Sequence, residues 1–77
     1  MLSAYVLIET QVGKVAHVAQ ALSDLDGVEL AEDLAGPYDV IATIQAPGLD
    51  QLGRLVVFSI HVVDGVTRTL TCTVLHR

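Results

Sequence analysis

Leu25-Asp26-Gly27-Val28 and Val63-Asp64-Gly65-Val66 are nearly the same phrase written twice, 38 residues apart in a chain of 77. Each joins an apolar residue and an aspartate to a glycine that can take the positive φ of a helix C-cap, then to a valine that opens an extended run. Ahead of the first phrase, Val12, Val15, Ala19, Leu22 and Leu25 recur at three- and four-residue spacing, with Lys14, His17, Gln20 and Ser23 off the stripe. That spacing predicts an amphipathic helix over 12–25. Ahead of the second, Leu49, Leu52, Leu55, Val56, Ile60 and Val63 set the stripe of a second helix, broken from what precedes it by Pro47-Gly48. Val57, Phe58 and Val62 make this helix apolar over more than one face, which calls for a neighbour beyond its own sheet. Strands are expected at 2–9 (LSAYVLIE), 28–35 (VELAEDLA), 40–46 (VIATIQA) and 66–75 (VTRTLTCTVL). Glu29, Glu32 and Asp33 suit the second of these to a sheet edge. Gly36-Pro37-Tyr38-Asp39 reads as a tight turn closing a hairpin.

The order is β-α-β-β-α-β, and each half is one β-α-β unit. Two such units related by a pseudo-twofold axis give an α+β, ferredoxin-like sandwich over 1–77: a four-stranded antiparallel sheet with both helices on one face. The other face stays uncovered. Because residues of both parities are apolar, Val40, Ala42 and Ile44 against Ile41 and Ala4, Val6 and Ile8 against Tyr5 and Leu7, the bare face is expected to pack on a second subunit.

Composition narrows the function. One domain of this size buries only about 60% of its unfolded surface. With 52% hydrophobic residues and a single cysteine, association is the remaining source of stability. Nine acidic against four basic residues give a net charge of −5, and Lys14, Arg54, Arg68 and Arg77 are scattered. Nucleic acid and anionic membranes both need clustered cations, so neither is an expected partner. No uncharged run approaches the ~20 residues of a membrane span, and the N-terminus has no basic n-region, so the chain reads as cytoplasmic. Cys72 reads as a buried small hydrophobe.

No pattern announces catalysis. His17, His61 and His76 lack the short spacing of a metal motif and read as solvated, and no cofactor is implied. Two features stand out. Thr67, Thr69, Thr71 and Thr73 share one parity of the last strand and form a ladder of hydroxyls, expected on the face destined for an interface. Around the Gly36–Asp39 turn, Tyr38 is more than a turn needs. A small zwitterion such as an amino acid could take donors from the Gly36 backbone and the threonines, and an acceptor from Asp39.

Taken together, AYVLIET, LDGVELAEDLAGPYDVIATI, LGRLVV and DGVTRTLTCTVL resemble the effector-binding domain of the Lrp/AsnC feast/famine transcriptional regulators over essentially the whole chain. The resemblance implies sheet-to-sheet dimers, assembly of dimers into octamers or similar rings, and amino-acid effectors bound between dimers. It implies ligand contact by Gly36, Tyr38 and Asp39, which match the family's turn motif, and by Thr69 and Thr71, which match its last-strand threonines. A full regulator also carries an N-terminal helix-turn-helix domain. This chain begins at the first strand, and Met1 just before it favours a natural stand-alone domain that senses an amino acid or co-assembles with a full-length regulator. An excised fragment is the other reading. Three alternatives remain beside it: an oligomeric module with a vestigial pocket, an ACT-like amino-acid sensor in which Gly13 would receive the ligand, and a dimeric ferredoxin-like enzyme.

Overall fold

The computed structural model describes residues 1–75. Strand β1 spans Leu2–Thr10, helix α1 Val15–Ser23, β2 Val28–Asp33, β3 Val40–Ala46, helix α2 Leu49–Arg54 and β4 Val66–Thr73. The four strands form one antiparallel sheet in the order β2-β3-β1-β4. This is the expected ferredoxin-like sandwich, with β2 and its acidic residues at one edge. His76, read above as a solvated terminal histidine, lies outside the described residues.

The core is the space between the sheet and the helices. Ala4, Val6 and Ile8 of β1 face Ile44, Ala42 and Val40 of β3, so each small residue meets a larger one across the ladder. Val18 and Leu22 of α1 and Leu52, Val56 and Ile60 of the second helix close over them. No polar side chain is buried among the described residues, so any site for a polar ligand lies at the surface.

The internal repeat extends to the backbone. The N–H of Val28 donates to Leu25 O at 3.2 Å and that of Val66 to Val63 O at 3.1 Å. Gly27 and Gly65 sit third in these turns at φ 92° and 99°, where a side chain would strain the backbone. Each glycine also receives the helix of the other half. A Cβ on Gly27 would come 2.9 Å from Leu55 Cδ2, and one on Gly65 2.8 Å from Lys14 Cβ. Leu22 and Ile60, both fully buried, occupy equivalent places 38 residues apart, as do Val18 and Val56.

Local corrections have local causes. Helix α1 begins at Val15 rather than Val12, because Lys14 N–H closes a turn on Gln11 O at 3.0 Å. Val12 is therefore fully exposed, and Val18, which the stripe had left out, is fully buried. Strand β2 ends at Asp33, and Leu34 N–H donates to Asp39 O at 2.8 Å, so the turn spans four residues between that pair and is not a tight turn on Pro37. Strand β4 ends at Thr73, although Val74 N–H still reaches Ser3 O at 2.9 Å. Cys72 is exposed, because it pairs with Tyr5 on the open face of an edge strand.

The second helix is wound two ways. Leu49–Arg54 is α-helical, and Leu55–Ile60 continues as a π-helix with His61 N–H donating to Val56 O at 2.9 Å. Its buried residues come four apart, a spacing that drifts by about 40° per step around an ordinary helix. The wider i→i+5 winding reduces that drift and keeps Leu52, Val56 and Ile60 over the sheet. Among the described residues no helix is long and apolar enough to cross a membrane.

Candidate functional site

The register of β4 on β1 decides where the threonines point. Thr69, Thr71 and Thr73 pair with Ile8, Val6 and Ala4, all three under the helices. They therefore share the helix-covered face and not the bare one, where the sequence reading set them. The bare face instead carries Arg68, Leu70 and Cys72, opposite Glu9, Leu7 and Tyr5. Thr67 leaves the ladder at an irregularity between Glu9 and Thr10 and donates its hydroxyl to Glu9 O at 3.2 Å.

Because β4 is an edge strand, the second helix only partly covers it. A recess of about 270 Å³ remains between them, just under the ~300 Å³ lower end of small-molecule sites. Thr71 and Thr73 form its polar wall, and Leu49, Leu52, Gly53, Val56 and Val57 the apolar one. Two residues further along β4, Thr69 Oγ1 lies 2.6 Å from His61 Nε2, and the imidazole tautomer decides which of the two donates. Hydroxyls both donate and accept, so this wall can bind either end of a zwitterion.

The turn residues stand apart from that recess. Asp39 N–H donates to Ile8 O at 2.8 Å, and its Oδ2 accepts from Thr10 N–H at 2.8 Å and from the Thr10 hydroxyl at 3.3 Å. This carboxylate ties the β2–β3 loop to the end of β1, a structural duty that the sequence reading did not foresee. Gly36 is exposed and Tyr38 half-buried in the same loop. Val40, next to Asp39, and Thr69 both pair with Ile8, from opposite sides. Loop and threonine thus share one end of the sheet but are separated by two strand spacings, about 10 Å. One chain sets Thr69 and Thr71 on the same face of β4, but of the five expected contacts only Thr71 lines the recess, and Gly36, Tyr38, Asp39 and Thr69 lie outside it.

Sequence reasoning missed His61 and the helical wall. Thr73 was legible, since it continues the parity of Thr69 and Thr71. The His61–Thr69 contact joins a helix end to a strand across a turn and leaves no periodic trace. Among the described residues no three His, Cys, Asp or Glu side chains gather as a metal site requires.

Comparison with known proteins agrees with this architecture. The crystal structure of TTHA0845 from Thermus thermophilus superposes with a TM-score of 0.94 at 28% identity, over 100% of this chain and 96% of that one. AsnC of E. coli matches with a TM-score of 0.91 at 21% identity over 99% of this chain, which spans 52% of AsnC. The transcriptional regulator NMB0573 from Neisseria meningitidis, solved as its L-Met complex, matches at 0.85 and 17% identity over 97% of this chain and 50% of its own. At such identities the last two show the fold alone. None of the curated proteins matches the chain in sequence. The family model for the Lrp/AsnC ligand binding domain covers residues 3–77, and the chain belongs to that family.

Proposed function

We propose that this chain is an effector domain that binds an amino acid at the recess between the second helix and β4 and assembles with copies of itself. The observation that carries the reading is the pairing of Thr71 and Thr73 hydroxyls with an apolar helical wall across about 270 Å³. Threonine hydroxyls donate to the α-carboxylate, and Leu52, Val56 and Val57 take the ligand's side chain. Gly36, Tyr38 and Asp39 would complete the site from a neighbouring dimer, since they lie outside the recess of their own chain. The L-Met complex of the Neisseria regulator supports an amino acid as the ligand class.

Dimers form through the bare sheet face, where Tyr5, Leu30 and Leu70 are about half exposed, and dimers build an octamer or similar ring. The effector shifts this assembly, or co-assembly with a full-length cytoplasmic regulator, by its differential affinity for the states. With four scattered cations, DNA contact falls to that partner and not to this chain.

Thermal melts with each of the twenty amino acids test the reading, because a ligand of the folded state raises Tm by mass action. One or a few should raise it for the wild type and not for Thr71→Val. If none does, the pocket is vestigial; an equal rise in the variant moves the site elsewhere.

A further inference from the structure

The hydroxyl wall of β4 ends in a contact that the fold does not require. His61 closes the second helix, its N–H donating to Val56 O at 2.9 Å, and its Nε2 stands 2.6 Å from Thr69 Oγ1. In the other half of the repeat, 38 residues earlier, the equivalent positions hold Ser23 and Ala31. Ser23 returns its hydroxyl to Ala19 O at 2.9 Å within its own helix, and Ala31 has no polar side chain to offer. One β-α-β unit thus closes without a bond from helix end to strand.

The proton count of the His61–Thr69 pair decides what it can hold. A threonine hydroxyl carries one proton. A neutral imidazole either accepts it or donates to the oxygen, according to tautomer, whereas a charged imidazole can only donate and leaves the Thr69 proton free for a third group. Thr71 lies two residues along the same face, and side chains so spaced on a strand stand about 7 Å apart. A carboxylate spans that gap with one oxygen on each hydroxyl, provided that both hydroxyls donate.

The surroundings leave the imidazole without a counter-charge. The residues of β4 on its side, Thr69, Thr71 and Thr73, are uncharged, and Arg68 points to the other face and stands 3.8 Å from Glu9. Asp64, three residues on, pairs with Lys14 at 3.2 Å. Asp50 and Arg54 belong to the α-wound part of the helix, about two turns or more before His61. None of the ion pairs among the described residues includes His61.

We infer that His61 is a proton-controlled recognition residue of the effector site: charged, it fixes the Thr69 hydroxyl as a donor that joins Thr71 in holding the effector's α-carboxylate, and binding draws a proton from solvent onto the imidazole. The imidazolium also offsets the partial negative charge at the C-terminal end of the helix, which would otherwise repel an anion. The inference rests on the effector reading proposed above and names what governs its polar wall.

Histidine is the side chain that ordinarily changes charge between about pH 5 and 8, while an amino acid's α-carboxylate stays charged throughout that range. Calorimetric titration of the full chain with each of the twenty L-amino acids, at about pH 6 and about pH 7.5, therefore tests the inference. Wild type is compared with His61→Gln and with His17→Gln, a control at the exposed histidine of α1. The amino acid that binds should do so at least about threefold more tightly at the lower pH, with heats that vary with the buffer's ionisation enthalpy as proton uptake requires. His61→Gln can still hydrogen-bond Thr69 but takes no proton, and should bind with the wild type's weaker affinity at both pH values. His17→Gln should keep the wild-type dependence. Equal affinity at both pH values in the wild type overturns the inference and leaves the effector reading standing, and so does a pH dependence that survives His61→Gln. Absence of binding by every amino acid at both pH values overturns the two together.

Discussion

Helix α1 and the second helix occupy equivalent places over one sheet and bury equivalent residues, yet they show opposite faces to solvent. Val18 and Leu22 in one, Val56 and Ile60 in the other, fill the core. Beyond the core, α1 ends its outer face in a Gln20–Asp24 hydrogen bond, while the second helix is partly π-wound and exposes Leu49, Val57, Phe58 and Val62. The shared part is what two β-α-β units need to close a sandwich. The difference is what this molecule needs from its surroundings, and π-helical segments are often found at functional sites. Recess and hydroxyl wall both belong to the second half.

The comparison can be broken at several levels. Leu22→Ala and Ile60→Ala remove equivalent buried side chains, and each should lower stability by about 2–5 kcal/mol in chemical denaturation. A much smaller loss for Ile60→Ala would show that the π-wound segment can collapse where α1 cannot. Gly65→Ala and Gly27→Ala place a Cβ at positive φ against the opposite helix, at a cost of about 1–3 kcal/mol each. The two costs should be similar, since the Cβ on Gly65 meets the inner atoms of Lys14 at 2.8 Å and the one on Gly27 meets Gln45 O of the backbone at 3.2 Å. Asp39→Ala removes the acceptor of Thr10 N–H and should cost about 1–2 kcal/mol even without ligand. Unchanged stability in that variant, with effector binding lost, would leave Asp39 the role of completing a neighbour's site and remove the structural one. The smallest effect is expected for Asp64→Asn, which breaks the exposed 3.2 Å Lys14–Asp64 pair between the halves and should change stability by less than about 1 kcal/mol.

The fold was legible because its signals are local. The 38-residue echo, the strand parities and the helix stripes each reflect which residues must face a core, and the β-α-β-β-α-β order follows from them. Boundaries were less legible: Val12 has the right spacing for α1, but the Gln11–Lys14 turn intervenes. The candidate site was legible only in its chemistry. Thr69 and Thr71 do lie together, but whether they faced the helices or the bare face depended on register against β1, which strand periodicity alone does not fix. Asp39 matched a turn motif, and its bond to Thr10 crosses 29 residues of sequence. His61, reaching Thr69 from the end of the π-helical segment, left no sequence signal.

Native mass spectrometry of the purified chain, with and without a pool of the twenty amino acids, tests the central claim most directly. The account predicts assemblies larger than a dimer that gain adducts of one amino-acid mass, and the loss of those adducts in Thr71→Val. A bare dimer that takes up no amino acid at millimolar concentrations would contradict it.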